Sequence, residues 1–144
     1  PNEPEADALT WFLDGFSRFR RLPADALVLP SHGFPFVGLH TRLDQLVAHH
    51  DARLNDMTAA IAVRGAAGAT GWDMVPVLFP RHLDNNQIVF AFGETLAHLH
   101  CLETRARVKR VVVNGVHRFV ALVDPTAEPP ADDSAPDVMD VGTA

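Results

Sequence analysis

The chain has 144 residues, 47% of them hydrophobic, with a formal charge of −6 and one cysteine. That length suits one domain, or a small domain with an appendage, and is enough to bury a core. No run of about 18 apolar residues occurs, which excludes a membrane-spanning helix, and Pro1-Asn2-Glu3-Pro4 has none of the features of a signal peptide. The charge is unevenly placed, because every Lys and Arg precedes residue 124 whereas Asp124, Glu128, Asp132, Asp133, Asp137 and Asp140 lie from there on. Residues 1–123 are therefore neutral, which weakens any reading as a general nucleic-acid binder, since such proteins need a positive surface to neutralise phosphates.

Residues 4–21 read as an amphipathic helix with Leu9, Phe12, Leu13, Phe16 and Phe19 on one face. Glu3, Glu5 and Asp7 at its start and Arg18, Arg20 and Arg21 at its end complement the helix dipole. After Leu22-Pro23, the run Ala26-Leu27-Val28-Leu29-Pro30 is too short for a helix and reads as a brief buried strand. It delivers His32 to its C-terminal rim, a position suited to metal binding or proton transfer. A lone strand cannot satisfy its own hydrogen-bonding ladder. Nothing else before residue 105 has the pattern of a neighbour, so part of a sheet is expected to be missing.

A longer helix over about 38–64 places Leu39, Leu43, Leu46, Val47, His50, Leu54, Met57 and Ile61 on one stripe. His49 and His50 diverge by about 100° on a regular helix and cannot share one metal. His50, on the apolar stripe, reads as a histidine hydrogen-bonded at the seam between the core and the appended domain, and Asp51 and Arg53 as solvated charges. Gly65-Ala66-Ala67-Gly68-Ala69 reads as a flexible break and the best internal boundary. Thr70-Gly71-Trp72-Asp73 has the form of a capping box, opening a short helix limited by Pro76 and Pro80, with Trp72, Val75, Leu78 and Phe79 as its core face. A helix over about 86–104 follows, with Ile88, Phe92, Leu96, Leu99 and Leu102 inward and Gln87, Glu94, His98, His100 and Glu103 outward. Cys101, within this apolar pattern, reads as a small packed residue and fits a reducing compartment. Val108–Val113 and Val116–Val123 are β-prone runs joined by Asn114-Gly115, a strong signal for a type I′ hairpin. Helix, turn, helix and hairpin make a winged helix. Residues 125–144, rich in Pro, Ala, Asp and Ser, read as a disordered acidic tail.

Leu29-Pro30-Ser31-His32-Gly33-Phe34-Pro35, followed by a long helix carrying His49-His50-Asp51-Ala52-Arg53-Leu54, resembles the C-terminal part of metallo-β-lactamase superfamily hydrolases. More narrowly, it is similar to the subgroup with a winged-helix-like domain after the αββα core, and the resemblance runs from about Pro1 to about Leu122. In that family the strand ends in Pro-Gly-His-Gly, whose histidine is the last ligand of a one- or two-zinc site. His32 matches that ligand, with Ser31 in place of the usual glycine. The family's main motif, His-x-His-x-Asp-His, does not occur in these residues, nor do its further histidine and bridging aspartate.

The resemblance implies an α+β, mostly helical chain. Residues 1–37 would be a C-terminal edge piece of the αββα core, 38–64 a bridging helix, 65–123 a winged-helix-like domain and 124–144 the tail. It implies a cytoplasmic C-terminal fragment of a zinc-dependent hydrolase, cut just upstream of the first helix and inactive alone, with zinc in the intact parent and no cofactor expected in this chain. The parent's substrate would be a thioester, ester or lactone, or in some relatives single-stranded RNA. Exposed strand edge and helix faces would drive self-association. The alternative is an independent winged-helix module for nucleic acid or a protein partner. Arg105, Arg107, Lys109, Arg110 and Arg118 read either as solvated charges or as a basic wing that contacts nucleic acid or guides an anionic substrate or RNA towards the parent's metal site. The pairs Glu94/His98 and His40/Asp44, each at i and i+4, have ligand spacing on a helix face but lack further ligands nearby.

Overall fold

The computed structural model describes residues 6–122. The acidic tail and the first residues of the expected opening helix lie outside that range. Helix α1 (Ala8–Phe19) begins where the Asp7 carboxylate accepts a hydrogen bond from the Thr10 amide at 3.0 Å. It is followed by α2 (Leu39–Ala62), α3 (Gly71–Leu78), α4 (Asn85–Thr104) and an antiparallel hairpin of β1 (Val108–Val113) and β2 (Val116–Ala121). The chain is thus mostly helical with one two-stranded hairpin. Asn114 and Gly115 both adopt positive φ, 52° and 76°, and pair Val113 with Val116, as the Asn-Gly sequence predicts.

Two clusters of buried side chains share α2. The larger combines Leu54, Met57 and Ile61 of α2 with Leu9, Met74, Leu78, Leu99, Leu102, Val108 and Phe119, so every α-helix and both strands contribute. Cys101 is fully buried in it as expected, its sulfur 3.5 Å from the Thr10 hydroxyl. The smaller cluster joins Phe16 of α1 to Leu39 and Leu43 near the start of α2.

Residues 26–30 differ from the expected buried strand. Val28 makes a single antiparallel bridge with Phe36, whose amide and carbonyl meet those of Val28 at 3.1 and 2.8 Å. One bridge is not a ladder. Val28 faces the smaller core, while Leu29 is 74% exposed and Phe34 91% exposed, because no other element among the described residues covers that side. Phe36, absent from the sequence reading as a partner, supplies the pairing.

The Gly65–Ala69 stretch also differs from a flexible break. Gly65–Ala67 form a 3₁₀ turn, and Ala69 is buried and bridged to Phe119 of β2 through hydrogen bonds of 2.9 and 2.8 Å. Thr70 and Asp73 make both halves of the capping box that opens α3. The backbone and hydroxyl of Thr70 hold the Asp73 carboxyl below its ordinary pKa. Within α3, Met74 takes the buried place expected of Trp72, which is 61% exposed. The reason is close packing: a Cβ on Gly71 would lie 3.0 Å from Leu96 and 3.2 Å from Phe92, and Trp72 next to it turns outward onto Phe92. A second capping box, Asp84 with Gln87, opens α4.

Gly68 sits at φ +60°, and a Cβ there would meet the Phe119 carbonyl oxygen at 2.6 Å. Gly68→Ala is therefore expected to destabilise the chain by about 1–3 kcal/mol. Gly93→Ala, in the exposed face of α4 with nothing within 4 Å of its new methyl, is expected to stabilise it by about 0.5–1 kcal/mol. Urea unfolding of the two variants checks both signs.

Candidate functional site

His32 follows Pro30 in an exposed bend, beside Gly33 at φ +85°. The strand-like residues that precede it hold the bend through the Val28–Phe36 bridge alone. No group of three or more His, Cys, Asp or Glu side chains among the described residues is placed to hold a metal ion. The other candidate ligand pairs are committed elsewhere. Asp44 pairs with Arg20, and the His40 ring donates to the Leu22 carbonyl at 3.0 Å. Glu94 pairs with Arg53, whose guanidinium also lies 5.2 Å from the centre of the Phe79 ring. Arg53, read from sequence as a solvated charge, is instead half-buried and joins α2, α4 and the end of α3.

The polar centre of the molecule is a pair of imidazoles. His50 of α2 and His98 of α4 approach through Nδ1 and Nε2, respectively, at 3.2 Å. His98 is only 1% exposed, which corrects its expected outward placement on α4. The helical pattern offered two broad faces, and packing of α1 against α4 decides between them. His98 Nδ1 stands 2.8 Å from the Glu94 carbonyl, which can only accept, so Nδ1 carries the proton. His98 Nε2 is then the acceptor, and His50 Nδ1–H donates to it. Phe12 of α1 presents its ring to His50 at 5.8 Å, and His49 lies on another side at 5.5 Å. Burial is the main cause that lowers both pKa values; for His50 the neighbouring His98 and His49 add to it, while for His98 the Glu94 carbonyl and carboxylate oppose it. The hydrogen bond expected of His50 is present. Its partner was legible only as a requirement, since a histidine on an apolar stripe needs one.

The basic residues of the hairpin are tied to the body of the protein. Arg105 pairs with Asp51 at 3.4 Å, Arg107 donates to the Asn55 side chain at 2.9 Å, and Arg110 pairs with Glu103 at 3.3 Å. Arg118 donates to the Ala67 carbonyl at 3.2 Å, which leaves Lys109 exposed. On the face of α4 turned away from α1, Phe92, Leu96 and His100 line a groove of about 490 Å³ with Trp72, His117 and Phe119.

Residues 54–122 match the family described as metallo-beta-lactamase-like, C-terminal domain. Residues 54–122 thus belong to the metallo-β-lactamase-like family, as its C-terminal domain. The chain is similar to the crystal structure of a beta-lactamase domain protein from Burkholderia ambifaria, with 42% identity and a TM-score of 0.76 over 82% of this chain and 34% of that one. It is also similar to a metallo-beta-lactamase family protein from Thermus thermophilus, with 32% identity and a TM-score of 0.59 over 76% of this chain and 32% of that one. No curated protein matches it. The chain thus spans about a third of the length of these structures. The family match opens at Leu54, where α2 enters the larger core.

Because Arg53 combines an ion pair with stacking on Phe79, Arg53→Lys should cost about 1 kcal/mol despite keeping the charge. Thermal unfolding of this variant beside Arg53→Ala checks it, and equal stability of wild type and lysine variant would remove the stacking argument.

Proposed function

We propose that this chain is the C-terminal part of a zinc-dependent metallo-β-lactamase-fold hydrolase, that His32 supplies one ligand to its metal, and that the chain by itself does not hydrolyse substrate. The observation that carries this reading is the 42% identity to a beta-lactamase domain protein of which the chain covers only 34%. A zinc site needs about four ligands, and His32 with the described residues around it does not meet that requirement. The remaining ligands belong, in this reading, to the part of the fold that the longer relatives possess and this chain lacks.

The exposed side of the N-terminal segment supports the same reading. Leu27, Leu29, Phe34 and Val37 all face outward around the Val28–Phe36 bridge, where the αββα core of a whole enzyme would cover them. Residues 65–122, with two helices and a hairpin, would act as a winged-helix-like cap over that core. A thioester, ester or lactone is favoured over single-stranded RNA, because the hairpin arginines are engaged with Asp51, Asn55, Glu103 and Ala67 rather than presented together. No helix among the described residues is long and apolar enough to cross a membrane, and a cytoplasmic location is part of the proposal.

The gene should carry His-x-His-x-Asp-His upstream of Pro1 in the same reading frame. Elemental analysis of the purified 144-residue chain should find no stoichiometric zinc, and assays with thioester, ester and lactone substrates should stay at background. One tightly held equivalent of zinc, or metal-dependent turnover, would overturn the proposal.

The same chain should self-associate in sedimentation velocity, and Leu29→Ser with Phe34→Ser should shift it towards monomer. A wild-type chain that remains monomeric as concentration rises counts against a missing covering layer.

A further inference from the structure

We propose that His50 and His98 form an acid-released latch that holds α1 and the adjoining part of α2 against α4 while His98 is neutral. The contact has a direction. His98 Nδ1 is committed to the Glu94 carbonyl at 2.8 Å, so its Nε2 is the only position left to accept the His50 proton at 3.2 Å. A proton added to His98 must go onto Nε2, which turns the acceptor into a donor facing another donor unless His50 shifts its own proton from Nδ1 to Nε2, and in either case it places a charge on a side chain only 1% exposed. A proton added to the half-buried His50 goes onto Nε2 and leaves Nδ1–H in place, so His98 is the member whose protonation weakens the closed state.

The surroundings do not rescue a charged His98. From α2 it is faced by Arg53 and His49, both of which oppose a further positive charge, besides His50 itself. From α4 it is faced by Glu94, whose carboxylate favours the charge but is already paired with Arg53. α1 contributes the uncharged ring of Phe12, which packs on His50. Burial outweighs the help from Glu94, and the pKa of His98 falls below its ordinary 6.5. The more open state therefore takes up protons more readily than the closed one. The closed state has its full stability above the ordinary value and loses it as the pH falls below 6.5.

What the latch holds follows from the packing. Phe12 leans on His50, and Thr10 contacts the Cys101 sulfur one turn beyond His98, so the seam between α1 and α4 runs past the imidazole pair. Loss of the His50–His98 contact frees the His50 ring, which makes the only ring contact between α1 and α2 among the described residues. Of the buried residues of the larger core only Leu9 lies on α1, so acid is expected to free α1 before Leu54, Met57, Leu99 and Leu102, which the titration does not touch, come apart.

The test uses the full 144-residue chain. Ring nitrogen spectra near neutral pH should show the proton of both His50 and His98 on Nδ1. Amide exchange across Ala8–Phe19 should show the opening constant of α1 rising about tenfold between about pH 7.5 and 5.5, the change expected for one imidazole that must stay neutral in the closed state. His98→Gln keeps an acceptor facing His50 without a titrating group and should cut that rise to below about threefold, whereas His117→Gln, exposed on β2, should leave it unchanged. A proton on His98 Nε2 at neutral pH, or α1 exchange in wild type that does not respond to acid, overturns the latch. So does an undiminished rise in a folded His98→Gln chain; if that variant fails to fold, the spectra and the wild-type exchange decide the matter.

Discussion

With 24 residues, α2 extends about 36 Å, and it places Leu39 and Leu43 in one cluster and Leu54, Met57 and Ile61 in the other. Each fully buried aliphatic side chain contributes about 1.5–3 kcal/mol, so neither cluster stands without this helix. The constraint is geometric: whatever docks on the N-terminal end of α2 has its position relative to the α3–α4–hairpin layer fixed by a rigid rod. If the chain caps a hydrolase core, α2 is the strut that sets the cap's distance and angle.

Between the two clusters the strut is polar. Midway along α2, His50 meets His98, Arg53 meets Glu94, and Asp51 meets Arg105. A buried hydrogen bond between neutral groups contributes only about 1 kcal/mol net, and an exposed ion pair contributes less. These contacts therefore add little to the total stability. Their effect is on register, because a one-turn slide of α2 along α4 would leave a buried imidazole unpaired, at a cost larger than the bond's own contribution. The apolar clusters supply the attraction and the polar seam selects the alignment.

Local signals made most of the elements legible. The capping box at Thr70 and Asp73, the Asn114-Gly115 turn and the burial of Cys101 depend on neighbours in sequence or on residue size, and all three appear as read. What failed depends on which of two possible faces meets a distant element. Trp72 and Met74 lie on adjacent parts of a short helix, and only the close approach at Gly71 decides that Met74 goes in. His98 belongs to a helix apolar on more than one side, so periodicity alone could not choose between outward and inward. The bridge from Val28 to Phe36 escaped notice because Gly33 and Pro35 read as loop punctuation, and one bridge leaves almost no pattern in sequence.

The site was legible in a different sense. The family resemblance rested on His32 and on the blocks around His49 to Leu54, and the match over residues 54–122 bears out the family. His32 lies exposed in a bend, and no group of three or more His, Cys, Asp or Glu side chains among the described residues is placed to hold a metal ion. A catalytic constellation is a property of several segments held together, and this chain covers about a third of the length of its solved relatives. What such a chain does display in full is its own support structure. Here that is a long helix fastened at both ends by apolar packing and aligned in the middle by two imidazoles, one of which is buried with a nitrogen committed to the Glu94 carbonyl and the other to its partner.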